Sequence, residues 1–129
     1  MKRTGTVFAL ILLSFLLNSC SGPYTMKDNG KMIELSINTP FEVELEGSAE
    51  TGYEWNVLSY DNMVIELVNR SKEQITEKSM QYLFEFKAVA AGETELVLIY
   101  HHPDKPQEGP SDVFKLRVIS GTMGRITAE

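Results

Sequence analysis

Hydrophobic and polar residues alternate with a period of two along most of the chain after Lys31. The clearest case runs from Phe41 to Glu46, where Phe41, Val43 and Leu45 are separated by glutamates. Successive side chains of an extended strand point to opposite faces of its sheet. The pattern therefore predicts a strand with one buried face and one solvated face.

Seven segments carry a strand signal of this kind. Most of them alternate strictly, but Met63–Val68 is a more continuous apolar run. Both alternating sets are apolar in Leu96–Tyr100, which predicts a strand that is covered on both faces. The predicted strands are Ile33–Ile37, Phe41–Glu46, Tyr53–Val57, Met63–Val68, Tyr82–Ala88, Leu96–Tyr100 and Val113–Ile119.

Turn signals separate these segments. Asn38-Thr39-Pro40 and Ala91-Gly92-Glu93 predict short turns, and the proline-containing stretch 104–112 predicts a long loop. No segment has a convincing amphipathic helical pattern. About seven short strands in roughly 100 residues predict an all-β fold, an immunoglobulin-like antiparallel β-sandwich. Trp55, early in the third strand, stands where such a sandwich often buries a tryptophan.

The N-terminus has the pattern of a targeting segment. Lys2 and Arg3 precede an apolar run over residues 7–17, which is typical of a secretory signal peptide and too short to favour a membrane-spanning helix. The sequence Leu-Asn-Ser-Cys that ends at Cys20 resembles a bacterial lipobox. This resemblance implies cleavage before Cys20 and acylation of its thiol and its new amino group. The alternative is a plain signal peptide that leaves a free thiol at Cys20.

These signals divide the chain into three parts. We expect a lipoprotein signal peptide at 1–19, a tether from the lipidated Cys20 at 20–30, and a sandwich domain at 31–129. The tether region contains Gly, Pro and Asn and lacks periodicity. Two or more acyl chains would anchor the protein stably to the bacterial cell envelope. Ser21 after the cysteine resembles a signal for sorting to the outer membrane.

Composition excludes several classes of function. The chain has 129 residues, one cysteine and a net charge of −6. One cysteine rules out an intramolecular disulfide and a cysteine-rich metal cluster. The acidic balance argues against a nucleic-acid partner, because binding to phosphate backbones needs a basic surface. The length allows one domain plus a targeting segment, and we expect a monomer.

Residues suited to catalysis or metal binding are few. His101 and His102 are adjacent, so on a strand their side chains would point to opposite faces and would not easily chelate one metal. Ser48 and Thr51 have no nucleophile-elbow motif around them and no obvious base nearby. We therefore expect no metal and no cofactor, and an enzyme is the least favoured class.

The segment between the second and third predicted strands is more informative. Thr51-Gly52 is followed at once by Tyr53 and soon by Trp55, and Gly52 can adopt the positive φ of a tight turn. This segment resembles the first inhibitory loop of the chagasin family of cysteine-peptidase inhibitors. The family loop reads Asn-Pro-Thr-Thr-Gly, followed by an aromatic residue and a nearby Trp.

The likeness continues downstream. Ala88–Gly92 followed by Leu96–Tyr100 resembles the family's alanine-glycine turn and the strand that ends in Tyr. His102-Pro103-Asp104 stands where the family has Arg-Pro-aromatic, and Ile75–Lys78 stands where it has a glycine-rich loop. The resemblance covers about Ile33 to Ile119, which is nearly the whole predicted domain.

The resemblance implies a function as well as a fold. In the family, three loops at one end of the sandwich form a wedge that enters the cleft of papain-like cysteine peptidases and covers the catalytic thiolate without being cleaved. It therefore implies a reversible proteinaceous inhibitor whose partner is a papain-like cysteine peptidase. The loop residues implied here are Glu50, Thr51, Gly52 and Tyr53, then Ile75, Thr76, Glu77 and Lys78, then His102, Pro103 and Asp104.

Some positions depart from the family pattern. Asp104 replaces a flat aromatic anchor, and residues 75–78 contain no glycine. Glu50 and Asp104 add negative charge, which would favour a target with a basic cleft rim. These departures keep an alternative open, in which an envelope lipoprotein sandwich binds another protein or a glycan without inhibiting a peptidase.

Overall fold

The computed structural model describes residues 22–121, and seven β-strands account for most of them. Two short 3-10 helices occur at Met26–Asp28 and Pro106–Glu108. Neither of these described helices has the length and apolar character needed to cross a bilayer. The strands are β1 (Met32–Leu35), β2 (Pro40–Ser48), β3 (Glu54–Ser59), β4 (Ile65–Gln74), β5 (Ser79–Ala88), β6 (Gly92–His101) and β7 (Asp112–Ser120).

The strands form two sheets, in the orders β2-β5-β4 and β1-β7-β6-β3. β1 pairs parallel to β7, and the other described strand pairs are antiparallel. The all-β class and the sandwich of about seven strands predicted from the sequence are therefore confirmed, and the antiparallel arrangement holds for every described pair except β1–β7. The predicted signal peptide at 1–19 and the acylation site at Cys20 lie outside the described residues, as do residues 122–129 of the predicted domain.

Alternating side chains from both sheets form the core, as their pattern predicts. The inward sets of β2, β5 and β7 are buried, and Trp55 of β3 is only 4% exposed. Because its indole N–H donates a hydrogen bond to the Glu46 carbonyl at 2.9 Å, the polar edge of this ring is also satisfied. Leu96, Val97 and Leu98 are buried consecutively, so β6 is covered on both faces over this stretch.

Four apolar residues assigned to strands from the sequence lie outside them, namely Ile37, Tyr53, Met63 and Val64. The first predicted strand extends to Ile37, but β1 ends at Leu35 and Ile37 is 45% exposed. The backbone turns at Asn38, which has a left-handed φ of 73°, and this conformation ends the extended run. Met63 likewise precedes β4 and is 75% exposed.

Part of the segment predicted to be a tether lies against the sandwich. The Tyr24 N–H donates to the Glu42 carbonyl, and the Tyr24 carbonyl accepts from the Glu44 N–H, both at 2.8 Å. Further along, the Gly30 N–H donates to the Lys115 carbonyl at 2.7 Å. The segment thus passes from β2 in one sheet to β7 in the other.

Candidate functional site

Three connections meet at one end of the sandwich. They are the β2–β3 connection (49–53), the β4–β5 connection (75–78) and the β6–β7 connection (102–111), which we call loops 1, 2 and 3. The Ala49 N–H of loop 1 donates to the Lys78 carbonyl of loop 2 at 2.9 Å. Gly52 of loop 1 lies against His102 of loop 3. The structure therefore brings together the three segments singled out in the sequence, with loop 1 touching both others.

Two hydroxyl groups shape loop 1. The Ser48 Oγ accepts a hydrogen bond from the Glu50 N–H at 3.0 Å. The Thr51 Oγ1 accepts from the Tyr53 N–H at 3.3 Å. Bonds from a side-chain oxygen to the backbone two residues ahead are typical of tight turns. They hold the chain so that residues 50–52 are exposed at the tip.

Gly52 satisfies two local requirements. Its φ is +82°, in the left-handed region that side chains other than glycine rarely adopt. A Cβ at this position would lie 2.7 Å from the Nε2 atom of His102, which is closer than van der Waals contact permits. The His102 ring also packs edge-on against Tyr53, with 5.5 Å between ring centroids. Glycine thus allows loops 1 and 3 to pack directly against each other.

An aromatic cluster supports the base of loop 1. Tyr100 of β6 lies between Tyr53 and Trp55, with centroid separations of 5.5 Å and 5.2 Å. Its hydroxyl oxygen accepts a hydrogen bond from the Ser48 N–H at 2.8 Å. A Cβ at Gly47 would lie 2.9 Å from Tyr100 Cε1, so this glycine makes room for the ring. Both ends of loop 1 are therefore attached to one residue of β6.

Loop 2 is a tight connection between paired strands. The Ile75 N–H donates to the Ser79 carbonyl at 2.9 Å. The Thr76 Oγ1 accepts from the N–H groups of Lys78 and Ser79 at 3.2 Å and 3.1 Å. None of these residues has a positive φ, so the turn closes without glycine. Residues 75–78, including Glu77, are all exposed, and the apolar Ile75 is 49% exposed.

Loop 3 leaves β6 through a turn and returns through a short helix. The Lys105 N–H donates to the His102 carbonyl at 3.0 Å, and the exposed Pro103 and Asp104 lie between these residues. The Tyr53 hydroxyl lies 3.4 Å from Glu108 Oε1, to which it donates a hydrogen bond. The sequence did not indicate a role for Glu108, because it is 55 residues from Tyr53 and no local pattern connects them.

The loop end carries an excess of acidic side chains. Its acidic residues are Glu50, Glu77, Asp104 and Glu108, and its basic residues are Lys78 and Lys105. The ion pairs found within residues 22–121, Lys31–Asp28 and Arg117–Glu93, both lie outside the three loops. The acidic groups of the loops therefore create a negative field that a binding partner would meet.

The adjacent histidines have different neighbours. His101 Nε2 lies 3.0 Å from the Asn56 side-chain nitrogen, whereas His102 packs against Gly52 and Tyr53. This arrangement agrees with the alternation of side chains expected on a strand. Among residues 22–121, no three His, Cys, Asp or Glu side chains are grouped closely enough to hold a metal ion.

A protein-family comparison identifies the domain. The model described as "Chagasin family peptidase inhibitor I42" matches residues 34–118, which include all three loops. The chain belongs to this family. The resemblance seen in the sequence is thereby confirmed at the level of the family, and chagasin-family domains are peptidase inhibitors rather than enzymes.

Solved structures with the same architecture include other inhibitors. The crystal structure of the cysteine protease inhibitor EhICP2 from Entamoeba histolytica superposes with a TM-score of 0.69 at 19% identity, covering 75% of this chain and 92% of that chain. PbICP-C in complex with falcipain-2 gives a TM-score of 0.59 at 18% identity, with coverages of 78% and 90%. The solution structure of Amebosin gives 0.60 at 24% identity, with coverages of 77% and 99%. At these identities the likeness shows that this chagasin-family chain shares their fold. Among curated protein sequences, none matches this chain.

Proposed function

We propose that this protein is a reversible inhibitor of papain-like cysteine peptidases and that loops 1, 2 and 3 enter the active-site cleft together as a wedge. The observation that carries the proposal is the contact of loop 1 with both other loops, in a chain of a peptidase-inhibitor family. EhICP2, a structural neighbour, is a cysteine protease inhibitor, and PbICP-C was solved in complex with falcipain-2. Both likenesses support a cysteine peptidase as the partner.

Loop 1 is suited to lie over a catalytic thiolate. Gly52 has no side chain, so a partner's atoms can approach its main chain closely. The hydrogen bonds of Ser48 and Thr51 hold the turn before any partner arrives, which reduces the conformational entropy lost on binding. The strands on both sides of loop 1 are held by pairing in the sandwich. If a peptidase cut a bond in the loop, these strands would keep the two new chain ends together, so the products would not separate.

Loops 2 and 3 would contribute the contacts beside the thiolate. The exposed side chain of Ile75 offers apolar surface that a cleft wall can cover. Asp104 and Glu50 would instead meet the rim of the cleft, and their charge favours a basic rim over an acidic one. We propose that this charge selects among peptidases of the same class.

We further propose that Cys20 is acylated after removal of residues 1–19. Acylation of both its thiol and its amino group would hold the domain stably on a membrane, since each buried CH₂ contributes about 0.8 kcal/mol. The lipobox-like sequence before Cys20 and the serine at position 21 favour the bacterial outer membrane. Mass spectrometry of the membrane fraction tests this proposal, and an unmodified Cys20 or cleavage at another site would refute it.

An inhibition panel tests the function itself. The chain from Ser21 to Glu129 is titrated against several papain-like peptidases, including those of the bacterium that produces it. We expect tight inhibition that is lost on dilution, with the inhibitor recovered at its intact mass. Replacing Thr51 and Gly52 with bulky residues should weaken inhibition in a protein that still folds, with a lowered melting temperature because Gly52 has a left-handed φ and lies against His102. A folded protein that inhibits no member of the panel contradicts the proposal.

Two departures from the family pattern favour a second candidate function. Asp104 stands in place of an aromatic anchor, and loop 2 closes without glycine. In this alternative the domain binds another envelope protein or a glycan and inhibits no peptidase. Affinity capture from envelope extracts separates the two cases, because the alternative requires a bound envelope component in the absence of any peptidase.

A further inference from the structure

Three described strand connections at the end of the sandwich opposite the loops carry little charge. They are residues 36–39, 60–64 and 89–91, which we call the distal end. These segments meet, since the Val89 N–H donates to the Val64 carbonyl at 2.9 Å. Asp61 is the single charged residue among these three segments, and its Oδ1 accepts a hydrogen bond from the Met63 N–H at 2.9 Å. The loop end carries six charged side chains, so the two ends differ sharply in polarity.

Two large apolar side chains project from the distal end. Met63 is 75% exposed and Ile37 is 45% exposed, and both occupy connections between strands. Leu58, the penultimate residue of β3, is a further exposed apolar residue close to this end. Exposed apolar side chains at an end with little charge are characteristic of a site that a membrane or another molecule covers.

The chain enters the domain at the same end. Gly22 lines a shallow pocket together with Leu35, Thr39 and Pro40, which lie around the connection between β1 and β2. Tyr24 then pairs in parallel with Val43 of β2, so the chain runs from the distal end towards the loops. Cys20 is two residues before Gly22, and two extended residues span at most about 7 Å. An acyl group on Cys20 would therefore hold the distal end close to the bilayer.

We propose that the distal end rests on the lipid surface, with Met63 and Ile37 in contact with the interfacial region of the membrane. This inference rests on the acylation of Cys20 proposed above. The transfer of apolar side chains from water to the boundary between headgroups and acyl chains is favourable. Because the three connections carry one charged residue, the free-energy cost of desolvating charge at this end is small. β2 has nine residues, which corresponds to a strand of about 30 Å. Loops 1, 2 and 3 would thus face away from the bilayer, about one strand length above it.

Fluorescence quenching by spin-labelled lipids tests this orientation. The full chain is produced in a bacterium that acylates it and is reconstituted into vesicles of phosphatidylethanolamine and phosphatidylglycerol. Because acylation blocks Cys20, the variant Met63→Cys has one free thiol, to which an environment-sensitive fluorophore is attached. The variants Thr51→Cys at the loop end and Lys115→Cys on an exposed flank provide matched probes. We expect headgroup-labelled lipids to quench the Met63 probe several-fold more strongly than either control.

The possible outcomes separate the two proposals. Equal quenching of all three probes in vesicle-bound, acylated protein overturns the orientation and leaves the anchor intact. A Met63 probe that is shielded from both the lipid quencher and aqueous iodide also overturns it, because a second copy or another protein then covers this end. Recovery of the chain free of vesicles with an unmodified Cys20 overturns the anchor and the orientation together. Peptidase inhibition, measured on the same unlabelled samples, reports separately on the function of the loops.

Discussion

The backbone N–H of Ser48 donates a hydrogen bond to the hydroxyl oxygen of Tyr100 at 2.8 Å, across 52 residues of sequence. The bond joins the last residue of β2 to the strand that leads into loop 3. The ring of Tyr100 also packs against Tyr53 at the other end of loop 1. One side chain of β6 therefore sets the position of both ends of loop 1.

Removing this hydroxyl should loosen loop 1. In Tyr100→Phe, the partly buried Ser48 N–H loses its acceptor, which we expect to cost about 1–2 kcal/mol of stability. Inhibition should weaken as well, because the loop loses part of its preorganisation. The matched control is Tyr60→Phe at the distal end, whose ring packs on Phe86 and whose hydroxyl makes no hydrogen bond among the described residues. Thermal unfolding and inhibition constants of both variants check this, and equal effects from the two would contradict it.

Substitution of Gly52 should impair inhibition more than an equivalent backbone change elsewhere. Gly52 and Gly30 have similar φ values of +82° and +87°, so alanine at either position adopts an unfavourable backbone, at about 1–2 kcal/mol. A Cβ at Gly30 meets no atom within 4 Å, whereas one at Gly52 would displace His102. We expect both variants to lose comparable stability from the backbone, and only Gly52→Ala to lose at least tenfold in inhibition. The Gly30→Ala measurement isolates the backbone cost from the contact with loop 3.

Ile75 should matter for binding and little for folding. Its side chain is 49% exposed, so Ile75→Asn should change the free energy of unfolding by less than about 0.5 kcal/mol. If loop 2 enters a cleft, loss of this apolar contact should raise the inhibition constant several-fold. Val68→Asn, at an exposed position on the strand that precedes the loop, is the control and should leave inhibition unchanged. Unchanged inhibition by Ile75→Asn would show that loop 2 stays outside the interface.

The acidic loop end should affect association rates in a salt-dependent manner. The double variant Glu50→Gln and Asp104→Asn removes two exposed negative charges from loops 1 and 3. Against a peptidase with a basic cleft rim, we expect slower association, with the difference shrinking at high salt as the charges are screened. Against one with an acidic rim, the same variant should associate faster. Stopped-flow association rates at low and high ionic strength measure both effects.

Asp28 should make stability depend on pH at the acidic end of the scale. The hydrogen bond from the Thr25 N–H, at 2.9 Å, and the nearby Lys31 lower the pKa of Asp28 below its ordinary value. A carboxyl whose pKa is lower in the folded state stabilises the protein above its unfolded-state pKa, and this contribution is lost as the pH falls through the folded-state value. Asp28→Asn should therefore reduce stability slightly at neutral pH, since solvent screens this surface carboxylate, and the difference from the unaltered protein should vanish in acid. Denaturant unfolding at a series of pH values tests this.

The strands were predictable because each one carries its own burial pattern. Phe41, Val43 and Leu45 are spaced for one face of a strand, and that face is buried. Ile37 follows the same spacing but lies outside β1, since the left-handed backbone at Asn38 ends the strand first. Local periodicity indicates which face of a strand can be buried, whereas the end of a strand depends on turn geometry that periodicity does not encode.

Contacts within the candidate site were harder to predict. Thr51-Gly52 could be singled out because it combines a local turn signal with a family resemblance. The supporting contacts of Tyr100 with Ser48 and of Glu108 with Tyr53 join residues more than 50 positions apart, so no local pattern reveals them. The segment expected to be a tether lacks periodicity, yet Tyr24 and Gly30 bond to the backbone of opposite sheets.

The sequence by itself determined the all-β class, the seven strands, the buried faces and the three segments that form the loops, because these follow from local alternation, turn residues and a family motif. Only the tertiary structure decided that loop 1 contacts both neighbouring loops, that glycine at position 52 is required by His102, and that the chain enters at the end opposite the loops. The physical reason is that such contacts depend on how two sheets pack and in which direction each strand runs. These relationships arise between residues distant in sequence, and they become fixed only when the sandwich closes.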